Sequence, residues 1–175
     1  MRIDIAKIMS KPDNIVSTNT SIGFSDINYM GEDYKVTKSS GVDVTITNLG
    51  KKRVHIVLKT SLCLNISCSR CLSDVPVSFD IEFDDEIKFN NEGKAFTKDN
   101  DEANYIDEFI LDTDSLIKEE VFLNFPGQVL CRPDCKGLCP VCGINLNSGS
   151  CSCNTESLDP RMARIRDIFN NYKEV

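Results

Sequence analysis

The stretch VHIVLKTSLCLNISCSRCLSDVPVSFDIEF, residues Val54 to Phe83, decides how the chain folds. Val54, Ile56, Leu58, Leu62, Leu64 and Ile66 alternate with more polar neighbours, with Thr60 in the same phase. Val75, Val77, Phe79, Ile81 and Phe83 repeat the pattern against Ser78, Asp80, Glu82 and Asp84. A period of two over this length predicts strands with one face in a core and the other in water. A turn at 67–74 makes them antiparallel partners. That turn carries Cys68-Ser69-Arg70-Cys71.

Upstream, Val42, Val44 and Ile46 alternate in the same way, and Asn48-Leu49-Gly50-Lys51 reads as a connection. Residues 1–35 are weakly patterned. Ile3, Ile5 and Ile8 suggest a short edge strand or turn, and Ile22, Phe24 and Ile27 a second short segment. Downstream, residues 90–108 are polar and acidic and read as a mobile loop. Asp112-Thr113-Asp114-Ser115 then offers N-cap residues; Leu116, Ile117, Val121 and Phe122 follow at helical spacing, and Pro126 stops the helix. This helix is expected to cover the apolar face of the sheet. A second helix is expected to start at Asp159-Pro160 and to carry Met162, Ile165, Phe169 and Tyr172 on one stripe. The expected fold class is α+β: a mainly antiparallel β-sheet, two packing helices and a cysteine-rich zinc module. Residues 1–126 would form the sheet domain, and 127–175 the module and last helix, packed on the first part.

Composition narrows the function. No apolar run in the 175 residues reaches the ~18 needed to span a bilayer, and the start has no apolar signal segment, so the expected compartment is the cytoplasm. There thiols stay reduced, and nine cysteines read as metal ligands or redox groups rather than disulfides. His55 is the only imidazole, so it alone could serve a Ser-His or Cys-His pair. No phosphate loop, nucleophile elbow or metalloprotease motif is present. A non-enzymatic role follows. Net charge is −7, and residues 80–120 alone carry −11, leaving +4 on the remainder. A mildly basic body with one acidic segment permits contact with a polyanion without requiring it.

The remaining cysteines cluster: Cys131-Arg132-Pro133-Asp134-Cys135, then Cys139-Pro140-Val141-Cys142, then Cys151-Ser152-Cys153. Thiolates at this spacing give two soft ligands per turn, and Zn2+ takes four in a tetrahedron. Cys63 lies inside the strand pattern opposite Leu62 and Leu64 and reads as inert. Eight cysteines are then enough for two Zn2+ ions. Divided by chain locality, Cys139, Cys142, Cys151 and Cys153 share one ion, and Cys68, Cys71, Cys131 and Cys135 the other. A rival division puts Cys131, Cys135, Cys139 and Cys142 together and Cys68 and Cys71 with Cys151 and Cys153. A third has one metal and spare thiols. Iron–sulfur clusters also use four cysteines; zinc is favoured because the Gly- and Pro-flanked knuckles resemble zinc ribbons.

Arg70, Arg132 and Lys136 flank the cysteines. They either offset the −2 of a four-thiolate zinc centre or meet RNA phosphates or a protein partner. Lys51-Lys52-Arg53 reads as a solvated turn, and Arg161, Arg164 and Arg166 as a wet helix face.

Cys68-Ser69-Arg70-Cys71-Leu72 with Val75-Pro76-Val77, the stretch Leu116 to Pro126 with Glu119-Glu120, and above all Cys131 through Asn147 closing on Cys151-Ser152-Cys153 resemble the YceD family of large ribosomal RNA subunit accumulation proteins. Asp159-Pro160-Arg161 fits as well. The resemblance spans residues 60–170. It implies a non-enzymatic part in large-subunit rRNA accumulation or processing and ribosome biogenesis, in the bacterial cytoplasm, with precursor rRNA or an assembling ribosomal protein as partner. Family members with fewer cysteines resemble this chain at Cys68 and Cys71, with Cys or His near Cys131 and Cys135, which by analogy favours the division by locality. A thiol redox switch and a protein-only adaptor are the alternatives from other classes.

Overall fold

In the computed structural model, residues 1–11, 14–153 and 168 are described. They fall into two compact units: Met1–Ile66 with Asp74–Val129, and Ser67–Ser73 with Leu130–Val175. The cysteine-bearing turn between the two long strands therefore groups with the later cysteines.

The first unit is built on β6 (Arg53–Ser67) and β7 (Asp74–Phe89). β7 pairs with β6. Arg53 faces Glu86, His55 faces Asp84 and Lys59 faces Glu82, an opposed order that makes the pair antiparallel. The expected inward set, Val54, Ile56, Leu58, Thr60, Leu62, Leu64 and Ile66, is buried throughout. The other edge of β6 takes β4 (Glu32–Ser39) and β5 (Val42–Gly50), with Val36 opposite Leu64 and Val44 opposite Leu58. They are successive parts of one long strand interrupted at Ser40-Gly41, where the Ser40 N–H still reaches the Ser61 carbonyl at 2.8 Å. β2 (Ile15–Thr20) and β3 (Asp26–Tyr29) line the next edge, pairing with β5 and β4 respectively. The sheet is thus a meander of long antiparallel strands. Its β5–β6 turn holds Lys51 and Lys52 at φ of 51° and 60°. A two-residue turn with both φ positive matches the twist of the strands it joins.

Polar side chains pair across the wet face of β6 and β7. Arg53 meets Glu86 at 2.9 Å, His55 Nε2 lies 2.7 Å from Asp84 Oδ1, and Lys59 meets Glu82. Next to Arg53 in the Lys51-Lys52-Arg53 triplet, Lys52 Nζ donates to Asn91 Oδ1 at 3.1 Å.

The helix α2 (Thr113–Leu123) is capped by Asp112, whose carboxylate accepts the N–H groups of Asp114 and Ser115. It buries Leu116, Ile117 and Val121 in the core shared with the sheet, while Phe122 stays 37% exposed. Past its end, Phe125 stacks on Tyr29 at 4.1 Å. The second expected helix, at 159–172, lies outside the described residues apart from Ile168.

Three expectations are corrected. Ile5 and Ile8 sit on a short helix, α1 (Ile5–Met9), just after β1 (Arg2–Asp4). An apolar spacing of three suits one helical turn as well as a strand end. Asn48 is not a connection but a buried part of β5. Its Nδ2 donates to the Lys11 carbonyl at 2.6 Å and the Met9 carbonyl at 3.3 Å, tying down the end of α1. Residues 90–108 are not an unpatterned loop. They form β8 (Ala95–Phe96) and β9 (Ile106–Asp107) and bury Ala95, Ala103, Tyr105 and Ile106. β9 pairs with β10 (Ile110–Asp112), which in turn pairs with β1. Isolated apolar residues in a polar stretch carry no period, so this anchoring is invisible to pattern reading.

The buried Tyr105 hydroxyl has no hydrogen-bond partner among the described residues. Burial raises its pKa, and the carboxylates of Asp85, Glu119 and Glu120 raise it further. Burial also raises Glu119, and raises Glu120 together with its neighbour Glu119. Glu120 further sits in the last turn of α2, at the negative end of the helix dipole. A raised carboxyl pKa means that the unfolded chain releases its proton first as pH climbs. Stability therefore falls through that window. Glu120→Gln is expected to raise the thermal midpoint at pH 7.5. That gain should shrink toward pH ~4, near the ordinary glutamate pKa; an equal gain at both pH values contradicts the assignment.

Candidate metal centre

The described residues of the second unit bury no aliphatic side chain. Among its described residues the buried ones are Cys68, Cys71, Cys135, Gly137 and Cys139. Sulfur occupies the place that aliphatic side chains take in the sheet. Segments this poor in apolar surface need a cross-link or a metal to offset chain entropy.

The eight clustered cysteines converge as two sets of four. Cys68, Cys71, Cys131 and Cys135 bring their Sγ atoms within 4.8 Å of one another, and so do Cys139, Cys142, Cys151 and Cys153. This grouping is the division by chain locality; the rival pairing of Cys131 and Cys135 with Cys139 and Cys142 is not formed. In the first set Cys68 and Cys135 are 3.8 Å apart, and Cys71 and Cys131 3.5 Å. A disulfide needs about 2.05 Å. Four sulfurs at about 2.3 Å from one tetrahedral ion stand about 3.8 Å apart. The sulfur spacing and the all-thiolate donor set fit a tetrahedral soft metal. Cys63 belongs to neither set and is half-buried on β6.

Backbone geometry aims the sulfurs. Cys68 opens a tight turn in which the Leu72 N–H donates to the Cys68 carbonyl at 3.0 Å and the Cys68 N–H to the Ser73 carbonyl at 2.8 Å. The Cys131 N–H donates to Cys68 Sγ at 3.3 Å. Burial works against ionising Cys68, but backbone N–H groups of Arg70, Cys131 and Cys71 outweigh it and bring the thiol down to about 6. In the second set the N–H groups of Cys142 and Val141 lower Cys139 to about 6. Each set also holds one thiol pushed up to about 12. Cys131 is raised first by Cys71, then by burial and by Cys135; Cys153 is raised first by Cys142, then by burial and by Cys151. Repulsion keeps the four sulfurs from ionising together, and a divalent cation reverses that balance.

The flanking cations are engaged within the module. Arg70 Nη1 donates to the Cys135 carbonyl at 2.9 Å. Arg132 donates to Asn147 Oδ1 at 2.7 Å and lies 3.5 Å from Asp134. Among the described residues Lys136 alone of the three has an exposed, unpaired side-chain charge. Arg161, Arg164 and Arg166 lie outside the described residues. Asn147 is the residue that pattern reading passed over. It sits in the cysteine motif as an ordinary polar residue, and only the folded chain brings its amide against Cys135 Sγ at 3.2 Å.

The fold and site define a β-meander protein carrying a double four-cysteine module. The family model for the large ribosomal RNA subunit accumulation protein YceD matches residues 56–169, and the chain belongs to that family. An uncharacterized Mycobacterium tuberculosis protein is 33% identical over 102 residues, covering 58% of this chain and 49% of its own length. YlbN, an uncharacterized protein of Bacillus subtilis, is 26% identical over 128 residues, 73% of each chain. The chloroplastic large ribosomal RNA subunit accumulation protein YCED homolog 1 of Zea mays is 28% identical over 150 residues, covering 68% of this chain and 50% of its own length. The chain thus spans about half the length of the mycobacterial and maize relatives. No solved structure matches. No helix among the described residues is long and apolar enough to cross a membrane.

Two glycines separate local strain from packing. Gly137 has φ of 77°, and a Cβ there would stand 3.0 Å from the Arg70 carbonyl oxygen, which accepts the Leu138 N–H. Gly143 has φ of 73° with open space around it. Gly143→Ala is expected to cost about 1–2 kcal/mol from the left-handed backbone alone. Gly137→Ala adds displacement of the Cys68–Cys71 turn and should cost more. Urea unfolding of the metal-loaded variants checks the order; equal losses contradict it.

Proposed function

We propose that the chain is a non-enzymatic factor in large-subunit rRNA accumulation and ribosome biogenesis, acting in the cytoplasm. Cys68, Cys71, Cys131 and Cys135 hold one Zn2+, and Cys139, Cys142, Cys151 and Cys153 a second. The surface ordered by zinc meets an assembling ribosomal protein of basic character. The family supports the process. The observation that carries the partner is what the cysteine turns expose. Leu72 is 66% exposed and Val141 62%, whereas Arg70 and Arg132 are turned onto acceptors of their own module. Exposed apolar side chains on a rigid support favour a protein contact, whereas RNA recognition relies on free cations. Charge agrees. Segment 80–120 carries −11, and Asp85, Glu119 and Glu120 are half-buried without an ion pair among the described residues. Precursor rRNA, met through Lys136 with Arg70 and Arg132, is the alternative partner.

Non-enzymatic action follows from the donor set. A four-thiolate centre is coordinatively closed and leaves no open position for an activated water. His55 faces Asp84 on the wet sheet face. Zinc contributes folding energy instead. Structural sites supply on the order of 10 kcal/mol, comparable with the whole stability of a domain. The redox alternative would leave the thiol sets without a resident ion.

Elemental analysis of the purified protein should give about two zinc ions per chain, and stripping them with a chelator should open residues 131–153 to rapid hydrogen exchange. Metal-free protein with unchanged protection in that segment defeats the zinc reading. The double variant Leu72→Asp, Val141→Asp should keep its zinc and lose co-sedimentation with large-subunit precursors. A steep fall of log affinity for purified precursor rRNA with log salt would transfer the assignment from protein to RNA.

A further inference from the structure

Asn147 belongs to neither sulfur set, yet both ends of its amide are committed to fixed partners. Oδ1 accepts the Lys136 backbone N–H at 2.8 Å and the Arg132 guanidinium at 2.7 Å. Nδ2 donates to Cys135 Sγ at 3.2 Å. Two donors on one side settle which end of the amide is oxygen, so an N–H is aimed at the sulfur.

The backbone that presents Asn147 is part of the turn that carries Cys139 and Cys142. Asn147 N–H donates to Asn145 Oδ1 at 2.9 Å. The Leu146 N–H donates to the Gly137 carbonyl at 2.9 Å, and Leu138 pairs with Asn145. One turn further, the Cys139 N–H donates to the Ile144 carbonyl and the Gly143 N–H to the Cys139 carbonyl, both at 2.9 Å. This small hairpin carries Cys139 and Cys142 at its closed end and Asn147 at its open end. A continuous chain of short bonds therefore runs from one sulfur set to the other.

We propose that Asn147 is a positioning residue that couples the two metal centres: filling the Cys139–Cys142–Cys151–Cys153 site sets the hairpin, and the hairpin presents the Asn147 amide to Cys135, so that the Cys68–Cys71–Cys131–Cys135 site binds its ion more tightly. The inference rests on reading both sulfur sets as metal sites. An N–H···S bond lowers the charge that the cation must offset on Cys135 and fixes that ligand's direction. Linkage makes the effect mutual: an ion in the first site favours binding in the second by the same factor.

Asn147→Asp is the discriminating variant. It keeps an oxygen for Lys136 and Arg132 but removes the N–H from sulfur and adds a negative charge beside it. Asn147→Ala removes every side-chain bond. The full chain is titrated with Co2+ and Zn2+ against chelators, with Cys142→Ser, Cys151→Ser to disable the second site. In the Asn147 background, disabling the second site should weaken the first by about tenfold, in the range of outer-sphere effects on metal affinity. Asn147→Asp and Asn147→Ala should impose a similar loss with both sites intact, and disabling the second site should then cost the first nothing more. The sulfur-to-cobalt charge-transfer band of the first site should move to lower energy in Asn147→Asp. A merely structural side chain would leave that band unmoved, since the two accepted bonds survive. Two ions bound independently, with affinities and band insensitive to Asn147, overturn the coupling and leave the zinc reading intact. Fewer than two ions per chain in the unsubstituted protein overturns both.

Discussion

Four sulfur atoms gathered within 4.8 Å of one another are the constraint on which the second unit depends. Ionised, they repel; protonated, they bond only weakly. The backbone lowers Cys68 and Cys139 while their neighbours raise Cys131 and Cys153. A divalent cation at the centre would relieve that repulsion. Among its described residues the unit buries sulfur and Gly137 rather than aliphatic side chains, so a bound cation would stand in for a hydrophobic core. That is why its loops can remain short, Gly-containing and polar while holding a defined shape.

The first unit solves the same problem by the opposite means. Its strands run long and bury a continuous set of branched side chains, from Val42 on β5 to Phe89 on β7. Its outer face is closed electrostatically by pairs such as Arg53 with Glu86 and His55 with Asp84. Exposed pairs of this kind contribute little stability. Their consequence is that Arg53 and Lys59 each already face a carboxylate across the strand pair.

This distribution of charge shapes the functional reading. A chain with a ribosomal-RNA role need not itself be an RNA binder. Its cations near the cysteines serve the module: Arg70 secures the Cys135 carbonyl and Arg132 the Asn147 amide. Leu72 and Val141 stay outward at the turns, and so does Lys136. Acidic groups remain over α2 and β7. Together these properties support the proposed contact with a basic protein.

Strand alternation in 54–66 and 75–83, the Asp112 cap and the eight clustered cysteines were determined by local order alone, because side-chain period, capping and ligand spacing are all short-range properties. The family resemblance rested on the same local motifs. Tertiary structure decided the rest. It chose which four sulfurs meet, since spacing allowed three divisions and only the folded turn at 67–73 brings Cys68 and Cys71 to Cys131 and Cys135. It placed Ala95, Ala103, Tyr105 and Ile106 in the core, since burial of isolated residues leaves no period to read. It turned Asn48 and Asn147 from loop-forming residues into fixed hydrogen-bond hubs, because an amide's role depends on partners that are distant in the chain or reached only through its folding.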